Sequence, residues 1–390
     1  AESATATNTY TLAITPRTYR FTKVEKGGQN FTCGLTPDGK VLCWGYNYYG
    51  TLGGALGVSE ADNQISPDLV EVPNLPAGMK DLWAGHNSAC AQASDNSVYC
   101  WGRSYFGDGV SLSSNSGRHS TRIAALSGVK SISIGDFNSC AISAANDLLC
   151  WGSQTNGMVG NGSTSGSRPI GSPTKIAALN GIAKQVSVSV DSACSVTTGG
   201  ALYCWGKHDK PLGLSPARTS PVSTPTLVPG METGVASVSV GMLHACAVME
   251  AGTVKCWGSN SGGALGTGTS VASALVPVNV TGIASGATEV SVTRLGSSTN
   301  GVFFPQSCAV VNGGLKCWGM GVSGHSSSTN RSPVSIAVPG GTVRSLSVAG
   351  QGGCFATSAN EGYCWGVNSA YQLGTGNDQA SSTPVRVTGR

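Results

Sequence analysis

Fourteen cysteines are the residues of this 390-residue chain best able to do chemistry. They fall into seven pairs: Cys33 with Cys43, Cys90 with Cys100, Cys140 with Cys150, Cys194 with Cys204, Cys246 with Cys256, Cys308 with Cys317, and Cys354 with Cys364. Ten positions separate the members of six pairs, and nine separate Cys308 from Cys317. Thiolates so arranged could ligate metal or oxidise to disulfides. The spacing matches no usual zinc motif, and only five His residues are present to help. The pairs therefore read as disulfides, with no metal and no cofactor expected. An even cysteine count suits an oxidising compartment.

The elements that must position these sulfurs follow from the flanking residues. Each second cysteine opens the tripeptide Cys-Trp-Gly, with indoles at Trp44, Trp101, Trp151, Trp205, Trp257, Trp318 and Trp365. Trp83 stands outside the set and reads as core. Before each pair lies a period-two segment such as Val186-Ser-Val-Ser-Val190, and after six of the seven a Pro-led one such as Pro333-Val-Ser-Ile336, the second repeat starting its segment near Thr121 instead. Four short alternating segments per repeat, punctuated by Gly and Pro, predict a four-stranded antiparallel unit. Radial repetition of that unit is a propeller. The fold expected is all-β: a single seven-bladed β-propeller over residues 19–390, preceded by a strand-like arm over residues 1–18.

The cysteine spacing tests this reading. A three-residue hairpin loop around Pro37-Asp38-Gly39 sets Cys33 opposite Cys43, where strand partners stand within disulfide reach. The shorter pair has the turn Asn312-Gly313, the favoured two-residue type I′ signal. One residue less in both loop and spacing restores the same opposition, so seven local bridges are expected. Chain entropy assigns each such loop about 2.7 kcal/mol of stabilisation.

The stretch His244-Ala-Cys-Ala-Val, Gly252-Thr-Val-Lys-Cys-Trp-Gly258-Ser-Asn260, Gly263-Ala-Leu-Gly-Thr-Gly268 resembles the regulator-of-chromosome-condensation repeat in its secreted bacterial, cysteine-bearing form. Tyr363-Cys-Trp-Gly-Val-Asn368 and Gln372-Leu-Gly-Thr-Gly376 repeat the pattern. The resemblance implies the propeller fold. Its eukaryotic founder is a nucleotide-exchange factor that also contacts chromatin, a role ill-matched to a weakly charged, cysteine-rich chain. Secreted bacterial relatives include β-lactamase inhibitors that bind through an aromatic-rich face.

Several functions are disfavoured by composition and pattern. A net charge of +4 without a Lys/Arg run gives no footprint for nucleic acid. No apolar stretch is long enough for a membrane span. His86 and His244 sit just before first cysteines and read as structural; His119, His208 and His325 lie in polar loops without partners at ligand spacing. Asp38, Asp95 and Asp147 read as turn residues. No nucleophile elbow or phosphate loop is present, and the chain is expected not to be an enzyme. It begins Ala-Glu-Ser, as a chain does after signal-peptide removal or other trimming, and with the paired cysteines a secreted or extracellular location, cell surface or periplasm included, is expected.

Two surfaces remain for binding. Loops after Cys-Trp-Gly carry Tyr46, Tyr48 and Tyr49, then Tyr105 and Phe106, and in the last repeat Tyr371; these rings suit protein or glycan contact, or packing over blade edges. The second is the arm, where Tyr10, Leu12 and Ile14 share one face of an alternating segment. Seven segments after the cysteine pairs, six of them Pro-led and one near Thr121, already complete seven repeats, and the last, near Pro384, can return to the first repeat to close the ring. The arm is thus surplus. It either folds back on its own propeller or adds to a sheet of a neighbour, and the latter, head to tail, builds a filament.

Overall fold

The computed structural model describes residues 18–28, 30–54, 64–103, 119–166, 169–207, 209, 211–294, 304–321 and 328–390. Tyr10, Leu12 and Ile14 of the arm, Tyr105, Phe106, His208 and His325 lie outside them.

The described residues form twenty-eight strands, with four short 3-10 turns and no α-helix. They group into seven four-stranded antiparallel sheets, each drawn from one contiguous stretch. The fifth shows the plan: inner strand Val235–Val240, second strand His244–Met249, third strand Val254–Ser259 and outer strand Ser273–Asn279. The other blades run Lys23–Glu71, Met79–Ser127, Val129–Lys175, Ala183–Leu227, Ala287–Ile336 and Val343–Arg386.

Second strands such as Ser88–Ala93 and Gly352–Thr357 are buried throughout, because neighbouring blades cover both of their faces. Outer strands such as Thr329–Ile336 are largely exposed. Apolar clusters fill the seams, each drawing side chains from two consecutive blades. Inner strands are stitched by serines. Val188 donates its backbone N–H to Ser133 Oγ (2.8 Å), Val240 to Ser187 (2.9 Å), Val292 to Ser239 (3.1 Å), Val348 to Ser291 (3.0 Å) and Lys26 to Ser347 (3.0 Å).

All three residues of Cys-Trp-Gly have a visible job. Seven disulfides join directly opposed cysteines with Cα atoms 4.0–4.1 Å apart, one per blade. The Asn312-Gly313 turn has φ of 52° and 76°, the two left-handed residues that type I′ needs. The indole reaches back to the preceding blade: Trp101 donates to Thr51 O (3.0 Å), Trp205 to Met158 O (3.0 Å), Trp257 to Pro211 O (2.8 Å) and Trp318 to Ala264 O (2.8 Å). The glycine lets the third strand bulge against the loop before the first cysteine. At Gly258 (φ +102°) a Cβ would lie 2.6 Å from Leu243 O.

Ring closure differs from the sequence expectation. The last strand, Ser381–Arg386, does not return to the first repeat but stays outermost in its own sheet, paired with Gly362–Gly366. The seam between seventh and first blades closes as the others do. Trp44 donates to Gln372 O (3.1 Å), Phe21 donates its backbone N–H to Asn360 O (2.7 Å), and Phe21, Val24, Trp44, Leu373 and Val387 share one apolar cluster. With the seam satisfied by side chains, no strand needs to cross it.

Candidate functional site

Strands alternate direction, so loops between inner and second strands and loops after Cys-Trp-Gly emerge on one face. Backbone bonds join the two loop types, as Arg103 N–H to Asn87 O (2.8 Å) and Ser153 N–H to Phe137 O (2.8 Å) show. On this face the first three blades build an aromatic cluster. Tyr46 stacks on Tyr48 with centroids 5.6 Å apart and planes 4° from parallel, and Tyr49 tilts against Tyr48 at 3.9 Å. Arg103 lies 5.1 Å from the Tyr49 centroid and 5.5 Å from that of Phe137, with its guanidinium 3.5 Å from Asp136 Oδ1. Asn87 donates to the same carboxylate oxygen at 3.4 Å. All three tyrosines are half-buried, one side packed and one side wet. Tyr48 is pushed to a higher pKa, first by its hydrogen bond with Tyr49 and then by burial. It stays a neutral donor.

Tyr49 is held at φ 57°, the left-handed region, inside the short turn Tyr48–Gly50. The same turn in other blades puts Asn156 (φ 57°) or Gly262 (φ 61°) there, residues that accept this backbone more readily. In the last blade it is the next position, where other blades have Gly157 or Gly263, that carries a left-handed tyrosine, Tyr371 at φ 60°. Its loop abuts the first blade, since Gln372 receives the Trp44 indole bond. Backbone strain of about 1–3 kcal/mol at a half-exposed tyrosine needs a reason outside the fold. Tyr371 of the seventh blade, the three tyrosines of the first and Phe137 of the third, with Arg103 of the second between the last two, make up an aromatic arc among the loops of this face.

Stretches 26–51, 129–157, 235–264 and 362–390 match the regulator of chromosome condensation (RCC1) repeat. These four stretches are similar to that repeat. Human E3 ubiquitin-protein ligase HERC2 is 27% identical over 249 residues, 63% of this chain and 5% of that protein. RCC1 domain-containing protein RUG3, mitochondrial, of Arabidopsis thaliana is 27% identical over 221 residues, 52% of this chain and 46% of that protein. The chain thus spans less than half the length of either. Among solved structures, yeast RCC1 (Prp20) bound to Kap60 aligns with TM-score 0.72 and 16% identity, covering 99% of this chain and 91% of that one. Human WBSCR16 aligns with TM-score 0.67 and 19% identity, covering 84% of each.

The ring has polar groups along its inner strands. A cavity of about 370 Å³ is lined by Glu25, Gln185, Ser239, Glu289 and Arg294 among others. Gln185 imitates a strand, accepting from Val238 N–H (2.8 Å) and donating to Val238 O (3.0 Å). Glu289 accepts from Leu346 in the matching register, but burial, helped by the Glu25 charge, pushes its carboxyl up to about 7. Lys23 sits 2.9 Å from Asp81 and 3.3 Å from Glu25, over the Trp83 ring at 5.3 Å. Trp83 itself is buried. Arg294 spans from the sixth blade to Ala84 O of the second (3.0 Å). These contacts tie inner strands together.

Among the described residues no group of three or more His, Cys, Asp or Glu could hold a metal. His244 bonds Ser307 at 2.7 Å inside the seam of fifth and sixth blades. His86 lies within the first–second seam, where burial lowers its pKa against the Asp136 charge that raises it. His119 accepts from Thr121 through its backbone. Sequence reasoning singled out Tyr46, Tyr48, Tyr49 and Tyr371 but missed Arg103, Asp136 and Phe137. Each lies at a fixed offset from a Cys-Trp-Gly or a first cysteine, so stacking the seven repeats in columns brings them beside the tyrosines.

Proposed function

We propose that this chain is a non-catalytic structural or interaction protein of an oxidising, extracellular setting, in the secreted bacterial cysteine-bearing form of the repeat. It assembles with copies of itself through its N-terminal strand. One observation carries the reading: Lys23 to Arg386 supply four strands to every blade and close every seam, so the alternating segment Tyr10–Thr15 is surplus to the ring. Seven bridges and no free cysteine support the oxidising setting. Size-exclusion chromatography and electron microscopy of the full chain beside a variant lacking residues 1–18 test it. Polymers from the full chain and folded monomers from the variant are expected; polymers from both would end the idea.

A second reading is favoured by the left-handed Tyr49 and Tyr371: the aromatic arc is a face for a protein or glycan. Yeast RCC1, which has the same fold, is bound to the protein Kap60 in its structure. Binding in a pull-down or glycan array that disappears in Tyr48→Ala supports this face; binding unchanged in that variant removes it.

A further inference from the structure

Seven outer strands present seven sheet edges, and exposed edges are usually blunted by charge, proline or bulges. Ile65–Glu71 carries Asp68 and Glu71, Thr121–Ser127 carries Arg122, and Ile170–Lys175 ends in Lys175. Thr329–Ile336 carries Arg331 and Ser381–Arg386 ends in Arg386. Two adjacent edges have no charge and carry only one proline each, Pro225 and Pro277: Val222–Leu227 of the fourth blade and Ser273–Asn279 of the fifth. The fifth is also the apolar one. Leu275 is 54% exposed, Val276 39% and nearby Val271 61%, with Leu227 of the fourth blade 37% exposed. Four of the seven large hydrophobics exposed among the described residues therefore lie on this one stretch of rim. A recess lined by Pro211, Leu214, Ala217 and Trp257 opens beside Leu275. Nothing in the ring's own packing calls for apolar side chains here.

We propose that this edge is the acceptor for the Tyr10–Thr15 segment of a second copy, an inference that rests on the arm-mediated assembly above. The arm's uncharged, alternating Tyr10, Leu12 and Ile14 match an uncharged apolar edge, and added strands gain specificity from recesses for alternate side chains.

Tether length makes the occupant another molecule. The described chain starts at the seam of the seventh and first blades: Arg20 donates to Ala359 O (3.0 Å), and Tyr19 packs against Gly389 and Leu69. From Thr18 back to Ile14 an extended chain covers at most about 14 Å. The fifth blade lies beyond the seventh and sixth, and sheets packed face to face are about 10 Å apart. Two and a half such spacings, about 25 Å before the blades splay toward the rim, exceed the tether. Donor and acceptor are thus different surfaces of one molecule, a head-to-tail contact that propagates.

The test uses the full chain. A benzophenone amino acid replaces Leu12, isotopically light and heavy chains are mixed, and cross-linked peptides are sequenced. Light–heavy products joining the arm to residues 271–279 are expected. The double variant Leu275→Lys, Val276→Lys should raise the concentration needed for assembly by about tenfold or more, with Ser335→Lys on the sixth blade as an unaffected control. Cross-links within one chain, for instance to the groove beside Tyr19 and Leu69, or to another blade, overturn the proposal. So does a double variant that assembles like the parent. Leu12→Lys separates the two levels: if it abolishes assembly while the double lysine does not, only the acceptor is wrong. If neither matters, the arm reading falls too.

Discussion

Trp318 of the sixth blade donates its indole N–H to Ala264 O of the fifth at 2.8 Å, and Gly266 lies against the same ring, where a Cβ would stand 2.8 Å from its Cδ1. This pair couples two motifs of successive repeats, Leu-Gly in one and Cys-Trp-Gly in the next. Gly160 meets Trp205 and Gly374 meets Trp44 at the same 2.8 Å. The glycine has no room for a side chain because the neighbour's indole must reach a backbone carbonyl beside it.

Gly266→Ala should therefore destabilise the fold by about 2–3 kcal/mol, part from backbone strain at φ +64° and part from displacement of Trp318. Gly230 is the control. Its φ is +76° but nothing lies within 4 Å of its Cβ position, so Gly230→Ala should cost only the backbone share, about 1 kcal/mol. Denaturant melts of the two variants decide. Equal losses would show that the indole contact contributes nothing.

Bridge removal should be nearly blade-independent. Cys246–Cys256 and Cys308–Cys317 close loops of similar length across one hairpin, separations 10 and 9. Paired Cys→Ala replacement in either blade should lower stability by about 2–3 kcal/mol, and the two losses should add when combined. Thermal unfolding of the three variants checks both size and additivity.

Much of this architecture was legible before any coordinates, because it is local and repeated. The spacing of Cys308 and Cys317 against their Asn312-Gly313 turn contains the register of a hairpin, and hairpin register is set by turn length. Trp44 and Gln372 show what could not be read. They meet across 328 positions of chain, at a seam that exists only when the ring closes. The same holds for Arg103 between Tyr49 and Phe137, three side chains on three blades that no periodicity within one repeat connects. Closure by a returning strand was the natural expectation for a propeller. Phe21 and Val387 made it unnecessary by filling the seam themselves.

His244 makes stability pH-dependent with a definite sign. Ser307 donates to Ala264 O (3.0 Å), so it must accept from His244 Nε2–H, and Nδ1 is left bare in a buried seam. A proton on Nδ1 finds no acceptor, and burial lowers the imidazole pKa from 6.5 to about 4. The unfolded chain then binds more protons than the folded one between those values. The stability held by the neutral ring is complete above pH 6.5 and falls as pH drops toward 4, by about 3 kcal/mol in full. Asn138 fills the matching register in the third blade, opposite Gly152 as His244 is opposite Gly258. His244→Asn should remove this share of the acid sensitivity. An unchanged slope of stability against pH from 6.5 to 4 would rule the histidine out.

Tyr49 separates fold from function. Its left-handed backbone is one that Asn156 adopts in the third blade, and asparagine tolerates that conformation better than tyrosine does. Were Tyr49 there for packing, Tyr49→Asn would lose the contacts with Tyr48 and Arg103 and destabilise the protein. These contacts are half-exposed, where stacking and cation–π terms are each about 0.5–1 kcal/mol, comparable to the strain released. The variant should therefore melt within about 1 kcal/mol of the parent, and pairing it with Tyr371→Asn should stay close to neutral for the same reason. Capture of a protein or glycan by the arc should in contrast weaken about tenfold or more, as loss of a central aromatic anchor does. A variant that binds as the parent does but unfolds several degrees earlier would assign the ring to the blade and not to a partner.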